Sequence, residues 1–513
     1  MSMKESIEEL RAENAQLREQ NGQLRAENQQ LREQVEQLGT RLHELEGRVA
    51  KDSQNSSKPP STDGYAKKTR SLRQKSGKKA GGQEGHPGST LHLVETPDEI
   101  MVLRPEKCAH CQASLQGIRA SGMQRRQLVD LPQIKAQVTE YQAHDVRCPD
   151  CQYVTRGTFP SEVRASVQYG PMLKGIALYL LYGQLLPYAR TAELLSDVCG
   201  CRLSPGTLEA FVAEGADRLV EVEEQIKQAL QAAEVMGTDE TGIRVQGVLH
   251  WLHTARTQTL THYACHRKRG KTATDEIGIL PQFHGTMVHD GYSSYPQYTQ
   301  CEHALCNAHH LRDLRFFHEQ EQQQWAGKLK DHLLLCHTTV EEARATGASS
   351  LPQQVVDHLT ATYHQLILAG LAAQPPPLPV LTHRGRVKQT KAKNLLDRLK
   401  RDAPSVLLFM TDFRVPFTNN GSEQDLRMVK VQQKISGTFR SDRGPTAFCR
   451  IRGYFSTMAK QGHRLCMVAH QLFAGVLLSP IGAVQSPSLY HYPHDYALCF
   501  PACALYCWSL CIY

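Results

Sequence analysis

Residues 235–242 read VMGTDETG, and this stretch decides the fold because a short apolar run leads into an acidic residue, Asp239. From here the sequence changes to short runs rich in β-forming residues, which are typical of strands. The predicted strands are 235–237, 242–256, 260–266 and 285–288, with a helical stretch at 273–280 before the last of them. The pattern therefore predicts three meander-like strands, a helix and a fourth strand, an α/β arrangement with a mixed sheet.

Two aspartates stand at the ends of predicted strands. Asp239 follows the first strand and Asp290 closes the fourth. If these strands lie side by side, both carboxylates emerge at the same edge of the sheet. Magnesium prefers hard oxygen ligands and keeps room for water and phosphate oxygens. The pair therefore indicates a magnesium site, although either aspartate could simply cap its strand.

A third carboxylate is expected from a helix. Residues 418–427 read TNNGSEQDLR, in which Asn420 or Ser422 would cap a helix running to about residue 434. Glu423 is the candidate, and Arg427 one turn later shares its face. Glu423 could instead be a solvated residue paired with that arginine. The replacements for the third acid would then be Asp425 or Asp412.

Five segments carry a specific resemblance: VMGTDETG, HWLHTART (250–257), HDGYSSY (289–295), CNAHHLRDL (306–314) and TNNGSEQDLRMVKVQQKISGTFRS (418–441). They resemble the transposases of the insertion-sequence-sixty-six family, over roughly residues 51–478. The resemblance implies a DDE catalytic domain of RNase H-like fold, with Asp239, Asp290 and Glu423 as its acidic triad and two Mg²⁺ or Mn²⁺ ions as cofactors. Water would first free a 3′-hydroxyl, which would then attack target DNA.

The resemblance also bears on the segment between the second and third acids. Their separation is too long for a bare RNase H fold, so the mostly helical residues 311–401 should be an insertion. In related transposases such insertions contact DNA or complete the active site. Cys306 and His309 resemble a short Cys/Asp-x-x-His signature of many DDE transposases. They would serve packing or DNA contact, or form a second zinc site with Cys301 and His303.

The first fifty residues carry a heptad repeat. Leucines recur every seven residues from Leu10 to Leu45, with Asn14, Asn21 and Asn28 on the same seam. This repeat predicts a parallel dimeric coiled coil, or leucine zipper, rather than a lone helix, which would leave the leucines in water.

The expected partners are a second copy of the chain, bound through the coiled coil, and DNA. The resemblance implies that this DNA comprises the terminal inverted repeats of the transposable element and the target DNA. It also implies accessory proteins encoded by the same element.

The net charge of +8 is concentrated in one place, because residues 51–80 alone contribute +7. Their Ser-, Lys-, Gly- and Pro-rich composition predicts a flexible linker that attracts phosphates, unless it only aids solubility. The candidates for DNA contact there are Lys67, Lys68, Arg70, Arg73, Lys75, Lys78 and Lys79. Further candidates in the catalytic domain are Arg427, Lys434 and Arg440. Arg440 could line a DNA groove with Arg443, Arg450 and Arg452, unless these are solvated surface arginines.

Two Cys-x-x-Cys pairs follow the linker. Cys108, Cys111, Cys148 and Cys151 suit a tetrahedral structural zinc site, although chance or redox pairs are the alternative. The 36-residue spacer predicts a small β module. The next helical region, in which Gly200 separates a helical run from Ser204 and Pro205, is either a DNA-binding helix-turn-helix or an ordinary bundle.

The 513-residue chain thus divides into a coiled coil (1–50), a linker (51–90), a zinc module (91–165), a helical region (166–232), a catalytic domain (233–478) and an apolar, Cys-rich tail (479–513) foreign to the family. The tail is a marginal membrane candidate, but no membrane association is expected. The sixteen cysteines without an apolar leader favour a reducing cytoplasm, where the protein would be nucleoid-associated. The prediction is a DNA transposase; the alternatives are an inactive DNA-binding regulator and a nuclease that cuts without joining.

Overall fold

The structure, a computed structural model, describes residues 3–49, 91–374 and 389–481. The chain forms two compact units. The first comprises Met1–Arg70, Ser166–Thr191 and Ser204–Tyr513, and the second comprises Ser71–Ala165 and Ala192–Leu203. The basic linker, with its seven candidate DNA contacts, and residues 482–513 of the predicted tail lie outside the described residues.

The heptad region is one continuous helix, α1, which spans Met3–Val49. The five seam leucines from Leu17 to Leu45 are exposed by about half or more of their surface, from 47% at Leu45 to 65% at Leu38. Burying such a stripe is what drives helices to associate. The coiled coil remains a prediction, and the exposed leucine stripe is the surface through which two helices would associate.

The second unit contains a hairpin of β1 (Asp145–Arg147) and β2 (Val154–Arg156), paired antiparallel. Between residues 91 and 165 no side chain reaches the buried class. A segment without a core depends on something other than apolar burial for its stability, as small metal-bound domains do.

Four helices lie between the β1–β2 hairpin and the large sheet in the chain. They are α2 (Pro171–Leu178), which continues as a π-helical turn over Tyr179–Gly183, α3 (Tyr188–Cys199), α4 (Pro205–Arg218) and α5 (Val220–Gln231). Ser204 caps α4, as predicted, because its hydroxyl accepts the Thr207 N–H at 3.0 Å, and Pro205 occupies the first turn. The helix-turn-helix stays a prediction.

The central sheet has five strands in the order β5-β4-β3-β6-β7. These are β3 (Val235–Val245), β4 (Val248–Arg256), β5 (Thr261–His266), β6 (Thr286–His289) and β7 (Glu302–Leu305), and helix α6 (Lys271–Ile277) leads from β5 towards β6. The first three strands are antiparallel, and β6 joins β3 in parallel. The predicted meander, helix and fourth strand are confirmed, while β7 was not predicted.

The remaining helices are α7 (Asn307–Glu319), α8 (Gln324–Ala345), α9 (Gln353–Ala372), α10 (Lys391–Arg401), α11 (Ala403–Leu407), α12 (Asn420–Ser436), α13 (Arg443–Lys460) and α14 (Leu465–Ala474). Helices α7 to α11 share an apolar core that includes Leu314, Leu333, Tyr363 and Leu396, all fully buried. The fold is mixed α/β and compatible with an RNase H-like domain. Among the described helices, none is both long and apolar enough to cross a bilayer.

Candidate active site

Asp239 lies within a strand rather than after one. Strand β3 continues to Val245 because it pairs with β4 along its whole length, and Asp239 stands opposite Thr254. The expectation that the strand ends before Asp239 is therefore wrong. One carboxylate oxygen accepts the backbone N–H of Glu240 at 2.8 Å, which orients the side chain.

Asp290 directly follows β6, which is parallel to β3 and adjacent to it. Its Oδ1 accepts the N–H of Tyr292 at 2.9 Å. The fully buried His289 stabilises this turn. Its Nδ1 accepts the Gly291 N–H at 3.0 Å, and its Nε2 lies 3.0 Å from Nδ1 of His303. Burial lowers the pKa of His289 to about 3, so the ring is neutral at physiological pH. These contacts bring Asp290 to the same end of the sheet as Asp239.

Glu423 lies in the first turn of α12, and the N-cap is Asn419 rather than the predicted Asn420 or Ser422. Asn419 makes no side-chain hydrogen bond to the backbone N–H groups of the first turn. Its Nδ2 donates to the Thr238 carbonyl at 2.8 Å, and its Oδ1 accepts the Ser422 hydroxyl at 2.7 Å. Asn419 thus joins the start of α12 to β3, one residue from Asp239.

The three acids interact electrostatically. Burial is the first cause that raises the pKa of Asp239 well above its usual range, and the negative charges of Asp290, Glu240 and Glu423 raise it further. A desolvated cluster of like charges is costly unless a cation offsets it. One oxygen of Glu423 is buried and has no hydrogen-bond partner in the protein. The negative charge of this cluster favours a divalent cation with oxygen ligands, but in the described residues the three acids do not form a group of ligand atoms within 4.8 Å of one another.

The alternative third acids are neutralised by bases. Asp425 accepts hydrogen bonds from Arg256 Nε at 3.1 Å and Lys460 Nζ at 2.8 Å. Asp412 pairs with Arg414 at 2.8 Å. A carboxylate engaged in this way is a structural ion pair, so the geometry favours Glu423 over both alternatives.

The candidate DNA contacts of the catalytic domain divide into two groups. Arg427, Lys434, Arg440 and Arg443 are exposed. Arg450 and Arg452 are not available to line a groove, because the first pairs with Glu223 at 2.7 Å and the second donates to the Tyr182 carbonyl at 3.1 Å. For these two residues the expected DNA groove is wrong: both bind helices of the preceding region.

Cys306 is the N-cap of α7 and is almost completely buried. Its Sγ accepts the backbone N–H of Asn419 at 3.1 Å, which ties α7 to the start of α12. His309 Nε2 lies 4.0 Å from Glu423 Oε1, and Arg312 Nη2 lies 3.8 Å from Glu423 Oε2. Burial and the charge of Arg312 lower the pKa of His309.

The proposed zinc set of Cys301, His303, Cys306 and His309 is not assembled. Cys301 donates to the Tyr298 carbonyl at 3.3 Å, and His303 contacts His289. Over the described residues, one group of three or more ligand atoms lies within 4.8 Å of one another, and it consists of Cys306, His309 and Glu423. The alternative zinc set was wrong because Cys301, just before β7, and His303, within β7, bind Tyr298 and His289 instead of meeting Cys306 and His309.

Sequence reasoning missed a second group beside the aspartates. Glu240 is buried, pairs with Arg269 at 2.6 Å and accepts the Tyr295 hydroxyl. The Arg269 guanidinium stacks 3.9 Å from the ring centre of Tyr292 and 4.7 Å from that of Trp251. A basic run at 266–271 was the only signal, and nothing in it distinguishes Arg269 from its neighbours.

The two Cys-x-x-Cys segments adopt the same turn. Cys108 N–H donates to Ala113 and Cys148 N–H to Tyr153, both at 2.8 Å. Backbone N–H groups within each turn lower the pKa of the Cys108 and Cys148 thiols, which favours the thiolates that bind zinc. In the described residues the four sulfurs do not form a group within 4.8 Å. The two pairs thus share one turn geometry, and the zinc site stays a prediction.

A mixed sheet with buried carboxylates gathered at one edge is compatible with an RNase H-like transposase domain. The model of the Transposase IS66 family matches residues 166–447, more than half of the chain. The chain therefore belongs to the IS66 transposase family, which supports a transposase role and implies DNA binding and a divalent metal. A family of unknown function (DUF6444) matches residues 2–92. A search of curated proteins found no match.

Proposed function

We propose that the protein binds the ends of its insertion sequence and catalyses cleavage and strand transfer with Asp239, Asp290 and Glu423. The observation that carries the proposal is the parallel pairing of Gly237 on β3 with Val288 on β6, because Asp239 and Asp290 each follow two residues later. The Asn419 side chain holds the start of α12 against β3, and the raised pKa of Asp239, to which Asp290 and Glu423 contribute, agrees with this arrangement. Neighbouring acids that raise the pKa of one another are typical of a metal-dependent catalytic site.

The three acids would hold Mg²⁺ or Mn²⁺. When bound, two such ions would activate the attacking oxygen and stabilise the leaving one in an in-line phosphodiester substitution. The chain contributes the positions of the acids. The Glu240 N–H orients Asp239, the Tyr292 N–H orients Asp290, and Asn419 fixes α12 against β3.

The reaction would run in two balanced steps at this site. In the first, water attacks a phosphorus at the element's end, the bond to the 3′ oxygen breaks, and a 3′-hydroxyl and a 5′-phosphate result. In the second, that 3′-hydroxyl attacks a phosphorus of target DNA and loses its proton, the bond from this phosphorus to the 3′ oxygen of the target strand breaks, and the departing 3′ oxygen takes up a proton. No covalent protein intermediate and no nucleoside triphosphate are required.

The other regions would supply DNA and assembly. We assign nonspecific DNA attraction to the basic linker and to the exposed Arg427, Lys434 and Arg440. The zinc module with Cys108, Cys111, Cys148 and Cys151 and the helical region would select the site, and α1 would join two chains. Accessory proteins of the same element are a further expected partner.

The test uses full-length protein, Mg²⁺, labelled terminal repeats and a target plasmid. Asp239→Asn, Asp290→Asn and Glu423→Gln should each lower cleavage by about a thousandfold or more, because each removes several kcal/mol of transition-state stabilisation. End binding in a mobility-shift assay should persist. Asp412→Asn is the matched control, since its carboxylate is paired with Arg414, and it should cleave like the unaltered protein.

Other results would select other functions. Binding without any cleavage by the unaltered protein would indicate a regulator, and cleavage without joined product would indicate a nuclease. Retained cleavage in Asp239→Asn would refute the site assignment.

A further inference from the structure

Three side chains next to the acidic cluster form a donor set of a different kind. The Sγ atom of Cys306, a ring nitrogen of His309 and a carboxylate oxygen of Glu423 lie within 4.8 Å of one another. Thiolate and imidazole select zinc over magnesium, which prefers oxygen ligands. Glu423 therefore belongs both to the acidic cluster, which suits magnesium, and to this second set, which suits zinc.

The geometry of the set is close to that of zinc coordination. Tetrahedral zinc holds neighbouring ligand atoms about 3.3 to 3.8 Å apart. His309 Nε2 and Glu423 Oε1 are 4.0 Å apart, slightly more than this range. Glu423 Oε1 and His309 Nδ1 are both buried without a hydrogen-bond partner. Three protein ligands and one open position match the usual pattern of an accessible zinc site.

The surroundings stabilise a metal-bound thiolate. The Asn419 N–H already points at Cys306 Sγ from 3.1 Å, and Cys306 sits at the N-terminus of α7, where backbone N–H groups favour negative charge. Burial raises the pKa of the Cys306 thiol to about 11, so an incoming metal must displace its proton.

We propose that Cys306, His309 and Glu423 form an inhibitory Zn²⁺ site that withdraws Glu423 from Asp239 and Asp290. The inhibitory half of the proposal rests on the proposed function of Glu423. With Oε1 bound to zinc and Oε2 facing Arg312 at 3.8 Å, the side chain no longer reaches a cation shared by the aspartates. Transposition would then stop when available zinc rises.

Metal binding is tested first, on full-length protein whose tight zinc sites are filled with zinc. Co²⁺ is then titrated at constant Mg²⁺, and the thiolate-to-cobalt charge-transfer absorption is recorded. Cys306→Ser and His309→Gln should each weaken this binding roughly tenfold or more. Cys301→Ser is the matched control, because Cys301 is also buried nearby but lies outside the donor set, and it should bind like the unaltered protein. A charge-transfer band that Cys306→Ser leaves unchanged would overturn the site.

Inhibition is tested second, by comparing cleavage with and without added Zn²⁺ for each variant. Zinc should slow the unaltered protein and Cys301→Ser by roughly tenfold or more, and a chelator selective for zinc should restore the rate. Cleavage by Cys306→Ser should resist at least tenfold more zinc. Equal zinc sensitivity in Cys306→Ser overturns the inhibitory role. If the unaltered protein does not cleave DNA at all, the proposed function and the inhibitory role both fail, while the cobalt titration still decides the site.

Discussion

Gly237 allows α12 to approach β3 closely enough to bring Glu423 towards Asp239, and Gly237→Ala tests this contact. A Cβ at this position would lie 2.7 Å from Ser422 Oγ and 2.8 Å from Asn419 Oδ1. These are the two side chains that pin the start of α12. Ordinary contacts begin at 3.4 Å, so the methyl group must push the helix start outward.

The magnitude follows from that displacement. A shift of roughly 0.6 Å is needed, and overpacking of this kind costs about 1 to 3 kcal/mol. Strain in the buried bond from Asn419 to the Thr238 carbonyl adds about 1 kcal/mol. We therefore expect a loss of about 2 to 4 kcal/mol in the free energy of unfolding. Because misplacing a catalytic group by about 1 Å costs on the order of a hundredfold in rate, cleavage should fall by tens of fold.

The assays are urea unfolding and Mg²⁺-dependent cleavage of labelled terminal repeats. Gly242→Ala is the matched control, since it lies on the same strand and its Cβ would meet only the exposed Leu249 side chain at 3.2 Å. That variant should stay within about 0.5 kcal/mol of the unaltered protein. If Gly237→Ala behaved like Gly242→Ala in both assays, the close approach of α12 to β3 would not be what positions Glu423.

Two further predictions concern other regions. Burial, opposed by Asp425, lowers the pKa of Lys460 from 10.5 to about 8, so the unfolded chain binds more protons between these values. The free energy of unfolding should therefore rise as pH increases from 8 to 10.5, by at most about 3 kcal/mol. Urea unfolding at a series of pH values over this range should show a smaller rise for Lys460→Met. In the N-terminal helix, Leu24→Asp with Leu31→Asp should convert dimers to monomers in sedimentation equilibrium, because both leucines are more than half exposed in the single chain. Gln23→Asp, one residue off the seam, should leave the dimer intact, and an unchanged mass in the double variant would count against the coiled coil.

Local pattern was sufficient for most elements of the sheet. The β-rich runs, the helix before β6 and the Ser204 cap all follow from short-range preferences, and the structure agrees with them. Strand β7 was missed because EHAL is four residues long and has no periodicity of its own; its parallel pairing with β6 makes it a strand. The length of β3 was underestimated for a related reason, since its far half is a strand through pairing with β4.

The sequence alone did not predict the exact residue at which α12 begins. Asn419, Asn420 and Ser422 all have capping side chains, and local sequence does not choose among them. The N-cap is Asn419, whose side chain does not cap the helix but binds Thr238 on β3, a residue 181 positions away. The contact of Cys306 with the same segment is likewise long-range and leaves no local signal.

The sequence by itself determined the kinds of chemistry available: a leucine heptad, two Cys-x-x-Cys pairs, a basic linker and several acids at strand and helix ends. It did not determine which acids serve the site, because Glu423, Asp425 and Asp412 each have a base close by in the chain. The tertiary structure separates them by charge balance. Asp425 and Asp412 accept hydrogen bonds from Arg256, Lys460 and Arg414. Glu423 lies 3.8 Å from Arg312, and its negative charge adds to those of the neighbouring aspartates. Electrostatic energy depends on distance in space and on burial, and only folding sets both.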